Sequence, residues 1–489
     1  MYRFLEILPG MLVWITLIGM VLASAYVPVA AAIFIILFDI YWLLRTATLS
    51  LYLTLTLRKM QGNMKINWLE KTKTIEGWED VYHLVLLPMH KESYELVEET
   101  FISLLKENYP KEKIIIVLGP EGRAGKEALG VAKRVQQEYG NKFRNFLVTQ
   151  HPLGLEGEIP GKGSNQTWMA KEIKREVIDK EGLNYEDIIV SVFDVDTQVY
   201  PEYFGRLTHA FLTTEDRQRT SYQPIPLFNN NIFKAPVFAR VVSLSATFYQ
   251  MMQQARPENL GTFSSHSMPF KALVEIGFWH KNVVSEDSRI FWQCYLHFNS
   301  DWRVTPLVYP VSMDANAASG FWQTMMNVYK QQRRWAWGSE NIAYVITSFI
   351  KNKKIKFRKK LYWTFHKLDS FYSWATASIL IFALGWLPLL LGGGEFNKTI
   401  LSFSLPQITQ NVMGLATVGI LLSAILGVIL LPPKPEWFKP RHYVLYLLQW
   451  ALLPATMILL GSLPAIDAQT RLMLGGRFRL GYWVTPKSR

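Results

Sequence analysis

The first long apolar stretch lies at the start of the chain and carries no charge from Ile7 to Phe38. A helix needs about 20 apolar residues to cross the core of a bilayer. The pattern therefore predicts two membrane helices, roughly residues 8–26 and 29–57. The second contains Asp39 and Arg45, which we expect to face other helices because charged side chains are costly in lipid.

The middle of the chain alternates short apolar runs with segments of helical period. The runs typical of buried strands are His83–Leu87, Lys113–Leu118, Phe143–Thr149 and Ile188–Phe193. Between the first of them, Tyr94–Glu107 and Lys126–Tyr139 have apolar residues at helical spacing. This alternation predicts an α/β fold with a mainly parallel sheet, and such sheets bind ligands at the carboxyl ends of their strands.

The last third of the chain is first amphipathic and then strongly apolar. Trp322, Met325, Met326 and Tyr329 recur at helical spacing, and a basic cluster follows from Lys351 to Lys360. This composition is typical of a segment that lies on an anionic membrane surface. Three uncharged stretches then have room for one span each: 370–394, 399–433 and 443–466.

These patterns divide the chain into five parts. The prediction is two N-terminal membrane helices (1–60), an α/β domain (61–320), amphipathic interfacial helices (321–365), about three C-terminal membrane helices (366–466) and a basic tail (467–489).

Basic residues decide the predicted orientation of these parts. They follow the second membrane helix closely and recur in the loop between the last two apolar stretches: Arg58, Lys59, Lys65, Lys71, Lys73, Lys434, Lys439 and Arg441. Positive flanks are cytosolic, so we expect a multi-pass protein of the plasma (inner) membrane with a cytosolic α/β domain. Three crossings after that domain would put the tail outside, yet its five basic residues favour the inside. It stays open whether one apolar stretch is re-entrant or interfacial.

The net charge and the apolar stretches together indicate which kind of partner the chain binds. The net charge of +13 suits nucleic acid or an anionic membrane, and the long apolar runs favour membrane lipids over nucleic acid. With one cysteine, Cys294, the chain forms no internal disulfide and no cysteine zinc site. Because Cys294 lies in an apolar stretch, we predict that it packs in the core.

Two aspartates, Asp194 and Asp196, follow the last predicted strand. In extended backbone, residues two apart point the same way, so the two carboxylates could share a divalent cation, Mg²⁺ or Mn²⁺, that binds a diphosphate. Aspartate is also common where a strand ends and a turn begins. The pair alone therefore leaves a structural role open.

A second acidic pair occurs in Ser285-Glu286-Asp287, after a Gly-Phe-Trp turn. Repulsion between adjacent carboxylates raises the pKa of one of them, which suits a general base for an acceptor hydroxyl. The alternative is a helix start, with Ser285 as the cap and acids in the first turn. The two interpretations are compatible.

Two further motifs combine polar and aromatic groups. On a helix, Gln331, Arg334 and Trp335 share one face. That face offers a guanidinium for a diphosphate and an indole for a sugar or a uracil, although a basic interfacial helix has the same composition. The loop around Lys162 places glycines beside a lysine that can neutralise phosphate, but it lacks the spacing of a P-loop, and an ordinary loop explains it as well.

The motifs stand in a fixed order ahead of the C-terminal spans: Asp194-x-Asp196, Glu286-Asp287 and Gln331-x-x-Arg334-Trp335. In this order they resemble the family 2 glycosyltransferases, in particular the branch of cellulose, chitin and hyaluronan synthases. The resemblance covers roughly residues 80–340, and the tail from Asp467 to Gly475 looks like that of bacterial members. It implies a GT-A fold in the 61–320 domain, a nucleotide-sugar donor (a UDP-sugar above all), a divalent metal and inversion at the anomeric carbon.

The resemblance also implies roles for single residues. Asp194 and Asp196 would bind the donor diphosphate and the metal. Asp287 would be the general base with Glu286 beside it, and Lys162 would approach the nucleotide.

The same resemblance extends to the other motifs. Gln331, Arg334 and Trp335 would hold the donor and the acceptor end. Pro88 and Glu92 belong to a segment that is similar to the first strand and turn of the family.

Two departures from the family pattern concern Glu121 and Ser285. Glu121 follows the second strand where aspartates are usual, so the resemblance leaves base recognition to this glutamate. Ser285 stands where a threonine is usual.

The implied activity is polysaccharide synthesis. Transfer of one sugar to a lipid-linked acceptor, or a catalytically silent membrane scaffold, are the alternatives.

Overall fold

A computed structural model describes residues 1–485. The final four residues lie outside this range, among them Lys487 and Arg489 of the predicted basic tail.

One eight-stranded sheet forms the centre of the α/β domain. Its strands are β1 (Tyr82–Met89), β2 (Ile114–Pro120), β3 (Asn145–Val148), β4 (Ile188–Val192), β5 (Gln198–Val199), β6 (Thr220–Phe228), β7 (Ser267–Pro269) and β8 (Arg303–Met313). Their spatial order is β3-β2-β1-β4-β7-β6-β8-β5. Strands β1 to β4 are mutually parallel, as are β6 and β8, whereas β7 and β5 run antiparallel to their neighbours. The predicted α/β class with a mainly parallel sheet is confirmed.

Twenty α-helices accompany the sheet in residues 1–485. They are α1 (Tyr2–Tyr26), α2 (Pro28–Asn63), α3 (Trp68–Lys73), α4 (Tyr94–Lys106), α5 (Gly125–Tyr139), α6 (Lys162–Ile173), α7 (Asp179–Glu181), α8 (Tyr203–Thr213), α9 (Val237–Gln254), α10 (Phe270–Glu275), α11 (Glu286–His297), α12 (Phe321–Ala336), α13 (Glu340–Lys351), α14 (Phe357–Phe382), α15 (Leu387–Leu391), α16 (Gly393–Asn397), α17 (Ile400–Ile429), α18 (Pro440–Leu448), α19 (Leu453–Met457) and α20 (Leu463–Leu474).

The sheet is buried on both faces. In β1, Val85 and Leu87 pack with α4, α5 and α8, whereas Leu84 and Leu86 pack with α6, α10 and α11. This arrangement explains the nearly continuous apolar runs of the sequence, because helices cover both faces of the sheet and most strand positions are buried.

Four helical segments among the described residues are long and apolar enough to cross a membrane: α1, α2, α17 and the broken helix Pro440–Leu474. A fifth candidate is α14 followed by Leu384–Leu391, which meet at a bend of 51°. These segments coincide with the apolar stretches of the sequence.

The last of these segments also packs on the α/β domain. Near its start, the ring of Trp450 stacks on Phe248 of α9 at 5.5 Å. In its middle, Leu460 joins a buried cluster with Ile232. Near its end, Asp467 pairs with Arg333 of α12 at 2.8 Å. The segment therefore contacts the α/β domain in its first half and in its middle, and it contacts α12, which follows that domain, near its end.

Candidate active site

The first element of the site is the end of β4. Strand β4 ends at Val192, and the amide of Thr197 donates to the carbonyl of Asp194 at 2.8 Å, so residues 194–197 form a turn. The prediction that Asp194 and Asp196 lie in extended backbone is wrong for this reason. Asp196 is 1% exposed and accepts a hydrogen bond from the amide of Asp314, whereas Asp194 is partly exposed. Both carboxylates still lie at the carboxyl end of β4.

Lys162 joins the two predicted acidic motifs. Its ammonium lies 2.8 Å from Oδ1 of Asp194 and 3.1 Å from both carboxylate oxygens of Asp287, and the residue is only 6% exposed. The geometry brings together residues from α6, the β4 turn and α11. A site that is charged, buried and located at the strand ends is where a mainly parallel sheet binds an anionic ligand.

Glycine at position 163 lets α6 approach the second acidic motif. A Cβ atom there would lie 3.1 Å from the Cβ of Glu286 and 3.1 Å from the carbonyl oxygen of His280. A larger residue would separate α6 from α11. The glycines beside Lys162 therefore serve close packing of the backbone.

Glu286 and Lys162 are both buried in this group, but their pKa values are shifted by different causes. Burial raises the pKa of Glu286 to about 8, and the charge of Asp287 adds to the effect. Burial opposes the charge of Lys162, but Asp194 and Asp287 together hold the pKa of its ammonium well above the usual range. At neutral pH, Glu286 is therefore protonated while Lys162 stays charged.

The helix interpretation of the second motif is confirmed for the two acids and wrong for a capping hydroxyl of Ser285. Helix α11 begins at Glu286 with Ser285 at the N-cap. The hydroxyl of Ser285 does not cap the helix but donates to Glu340 at 2.7 Å. Glu286 and Asp287 are thus first-turn acids that also belong to the charged site.

A loop that sequence analysis did not single out contacts both Asp287 and Asp194. The hydroxyl of Thr262 donates to the backbone carbonyl of Asp287 at 2.5 Å, and the hydroxyl of Ser264 donates to Asp194 at 2.9 Å. His266 is fully buried, and its Nδ1 lies 3.9 Å from Oδ1 of Asp287. The polar run Ser-Ser-His between apolar residues was the available sequence signal.

The third motif reaches the site through one side chain. The guanidinium of Arg334 is buried, which opposes its charge, yet Tyr482 and Glu286 hold its pKa above the usual range, with Asp194 and Asp287 adding to the effect. Trp335 packs instead against Phe228 and Phe263, with ring centroids 6.2 and 5.7 Å apart. Gln331 is partly buried one turn earlier on α12.

Tyr482 of the C-terminal tail is a further residue that sequence analysis missed. The guanidinium of Arg334 lies 5.0 Å from the centre of its ring. A Cβ atom on Gly161 would come within 2.5 Å of the same ring. The tail therefore contacts the loop that presents Lys162.

A cleft extends from this loop to the end of β2. Its lining includes Glu121, Arg123, His151 and Gly161. Glu121 is buried, pairs with Arg123 and lies 3.7 Å from Nδ1 of His90.

The predicted residues of the first strand lie near this cleft. Pro88 is the penultimate residue of β1, and Glu92 accepts a hydrogen bond from the amide of His90 at 2.6 Å.

Asp194 and Asp196 fit a divalent cation in part. Carboxylate oxygens are the ligands that Mg²⁺ and Mn²⁺ prefer. Within residues 1–485, however, no group of three or more His, Cys, Asp or Glu residues is arranged to hold a metal ion. The two aspartates therefore suit a cation that takes its remaining ligands from a diphosphate and from water.

Of three comparisons with known proteins, two found no match and one found distant similarity to solved structures. No family model and no curated protein matches the sequence. Among solved structures, the chain is similar to the mannosyltransferase PcManGT from Pyrobaculum calidifontis in complex with GDP-Man and Mn²⁺, at 15% identity and a TM-score of 0.39, covering 83% of this chain and 99% of that one. It is also similar to S. aureus TarS 1–349 in complex with UDP-GlcNAc, at 14% identity and a TM-score of 0.36, covering 71% and 90%. TM-scores this low do not establish a common fold.

Proposed function

We propose that this chain is a membrane-bound inverting glycosyltransferase of the GT-A type. It transfers a sugar from a nucleotide-sugar donor, a UDP-sugar by the resemblance, to a polysaccharide or glycan acceptor. The observation that carries the proposal is the contact of one buried ammonium, that of Lys162, with both Asp194 and Asp287 at the carboxyl ends of the strands. Three motifs that are far apart in the sequence thereby form one charged site, which a silent scaffold would not need.

The donor diphosphate binds where positive charge is available. Lys162 and Arg334 supply that charge, and Arg334 offers a planar guanidinium that suits phosphate oxygens. Asp194 and Asp196 would hold the divalent cation, which neutralises charge on the leaving diphosphate. The cleft next to Glu121 is the place for the nucleobase.

Asp287 removes the proton from the acceptor hydroxyl. The acceptor oxygen then bonds to the anomeric carbon as the bond from that carbon to the phosphate oxygen breaks, so one displacement inverts the configuration. In the structure both oxygens of Asp287 accept from Lys162. Because an incoming diphosphate competes for that ammonium, donor binding frees Asp287 to act as the base. Glu286, protonated beside it, adds no second negative charge.

The contacts of the segment Pro440–Leu474 support a topology with a cytosolic tail. The first half of this segment packs on the α/β domain and its end packs on α12, the helix that follows that domain, so both parts lie on the same side of the membrane. We propose that α1, α2, the bent pair of α14 and α15, and α17 cross the plasma membrane, and that Pro440–Leu474 is re-entrant or interfacial. This arrangement removes the conflict between three C-terminal crossings and a basic tail.

A lipid-linked acceptor is the alternative. Four crossings form a small bundle for a polymer channel, whereas addition of one sugar to a lipid-linked acceptor needs no channel. Product length separates the two, since a ladder on a gel indicates elongation and a single shifted band indicates one addition.

Purified protein should release nucleotide diphosphate from at least one member of a panel of UDP- and GDP-sugars, and release should require Mg²⁺ or Mn²⁺. The physical reason is that two carboxylates alone repel a diphosphate, and a bridging cation reverses the sign of that interaction. Full activity in excess chelator would remove the metal role. Absence of binding to every donor by calorimetry would favour the scaffold.

Ionisation of Glu286 should lower kcat/KM for the donor at alkaline pH. Its raised pKa means that it is neutral below about pH 8 and ionised above it, and ionisation places a second negative charge beside Asp287 and the diphosphate. We expect kcat/KM for the donor to fall as pH rises through about 8 in the wild type. Glu286→Gln fixes the neutral form, so its profile should lack this fall. An identical profile in wild type and variant would contradict the assignment.

A further inference from the structure

The two ends of the chain meet beside the charged site. Helix α20 ends at Leu474 and lies against the first half of α1, where a Cβ atom on Gly10 would come within 2.7 Å of the carbonyl oxygen of Gln469. The indole of Trp14 donates to the hydroxyl of Thr470 at 3.0 Å. Glycine at position 10 therefore lets two helices that are far apart in sequence pack backbone to backbone.

Arg3 ties the start of α1 to the end of α20. Its guanidinium donates to the carbonyl oxygens of Leu472 at 2.8 Å and Met473 at 2.5 Å. Carbonyls of the last helical turn lack partners within the helix, so the arginine satisfies them and complements the negative end of the helix dipole.

Glu6 lies one turn further along α1 and links this contact to the tail. It is only 4% exposed. Its carboxylate accepts from Arg3 at 3.0 Å and from Arg479 at 2.5 Å to each oxygen. A carboxylate that is buried between two guanidinium groups is held firmly by charge-assisted hydrogen bonds. The position of Arg479 is therefore fixed by a residue of the first membrane helix.

Arg479 stands three residues before Tyr482, a distance of at most about 11 Å along the backbone. Between them, Leu480 joins Tyr482 in a cluster with Val284 and Trp337. Val284 precedes the Ser285-Glu286-Asp287 motif directly. A continuous set of contacts thus leads from the start of α1 to the residues around Lys162.

We propose that Glu6 is a positioning residue for the donor pocket: by holding Arg479, it seats Tyr482 against Gly161 and Arg334. The first membrane helix thereby fixes one wall of the pocket. The assignment of that pocket to a nucleotide-sugar donor rests on the proposed function, whereas the mechanical link from Glu6 to Tyr482 does not.

The test of the link uses a disulfide and needs no activity. A Cβ atom on Gly161 would lie 2.8 Å from the Cβ of Tyr482, about 1 Å short of the spacing of about 3.8 Å that a disulfide requires, and an outward shift of the tail by that amount lets the bond form. The one native cysteine, Cys294, is buried. The full-length Gly161→Cys/Tyr482→Cys variant in native membranes should therefore crosslink under mild oxidation, as read by protection from a maleimide-polymer mass tag.

Adding Glu6→Gln to this pair should slow crosslinking about tenfold, because a charge-assisted hydrogen bond to Arg479 is lost. Arg479→Gln should slow it equally, and the two substitutions together should have no larger effect than either one. Glu395→Gln is the matched control, since Glu395 is exposed and pairs with its neighbour Lys398; it should leave the rate unchanged. An unchanged rate in both the Glu6→Gln and Arg479→Gln variants, or no crosslink in the parent pair, would overturn the proposal.

Measurements of KM and kcat for the donor then test whether the contact between Glu6 and the tail affects donor binding. In the chain without added cysteines, Glu6→Gln should raise the donor KM about tenfold with kcat changed less than about twofold, and Glu6→Asp should restore part of the loss. A fall in kcat at constant KM would overturn the positioning role. If the crosslinking result holds but the wild type turns over no donor, the proposed function fails while the link between Glu6 and Tyr482 stands.

Discussion

Asp287→Asn should lower kcat for sugar transfer about 10³-fold, the range expected when a general base is removed. The amide keeps the shape of the side chain but cannot accept the proton of the acceptor hydroxyl. Donor affinity should not fall, because the substitution removes a carboxylate that competes with the diphosphate for Lys162, while Asp194 still holds the lysine in place. The measurements are single-turnover rates with a saturating donor, and calorimetric binding of the same donor.

The fold should survive this substitution. The hydrogen bond from Thr262 goes to the backbone carbonyl of Asp287, so it does not depend on the side chain. Asp301→Asn is a matched control at an exposed position outside the site and should retain wild-type turnover. Substantial turnover by Asp287→Asn would show that another group is the base.

Lys162→Met should weaken donor binding about 100-fold, since it removes a charged hydrogen-bond donor from a buried site. The loss has two physical sources. The diphosphate loses a cation, and Asp194 and Asp287 are left as negative charges without the ammonium between them. Calorimetry with the donor identified by the nucleotide panel gives the dissociation constant directly.

Lys171→Met is the control for this substitution. Lys171 lies on the same helix, α6, but is exposed, and its ammonium is 5.7 Å from the ring of Phe278 rather than next to a carboxylate. It should bind the donor as the wild type does. Equal affinity in the Lys162→Met and Lys171→Met variants would remove Lys162 from the donor site.

Local patterns in the sequence were enough to predict the elements that surround the site. The first four strands agree with the predicted runs to within a few residues, because a strand buried on both faces is a continuous apolar run whatever its neighbours are. Strands β5 to β8 were not predicted. Strands β5 and β7 are short, and β6 and β8 are interrupted by prolines such as Pro224 and Pro306, which hide the usual signal.

The candidate site, too, was predicted only in part from the sequence. The acidic motifs and the Gln-x-x-Arg-Trp motif were visible as residue types at fixed spacing. The hydrogen bond between Lys162 and Asp287 joins residues 125 positions apart, and no local pattern indicates which lysine meets which carboxylate. Tyr482 was missed because a tyrosine in a basic tail carries no signal of its own.

The sequence by itself determined the class of the chain: long apolar stretches, an α/β domain between them and a set of charged motifs, since hydrophobic periodicity and residue chemistry act over a few turns or one strand. Only the tertiary structure decided that one buried ammonium joins two acidic motifs, that Glu286 is neutral at neutral pH, and that Glu6 and Arg479, 473 positions apart, hold the tail beside the site. Burial and the distances between charges decide those properties, and both arise only when distant segments pack together.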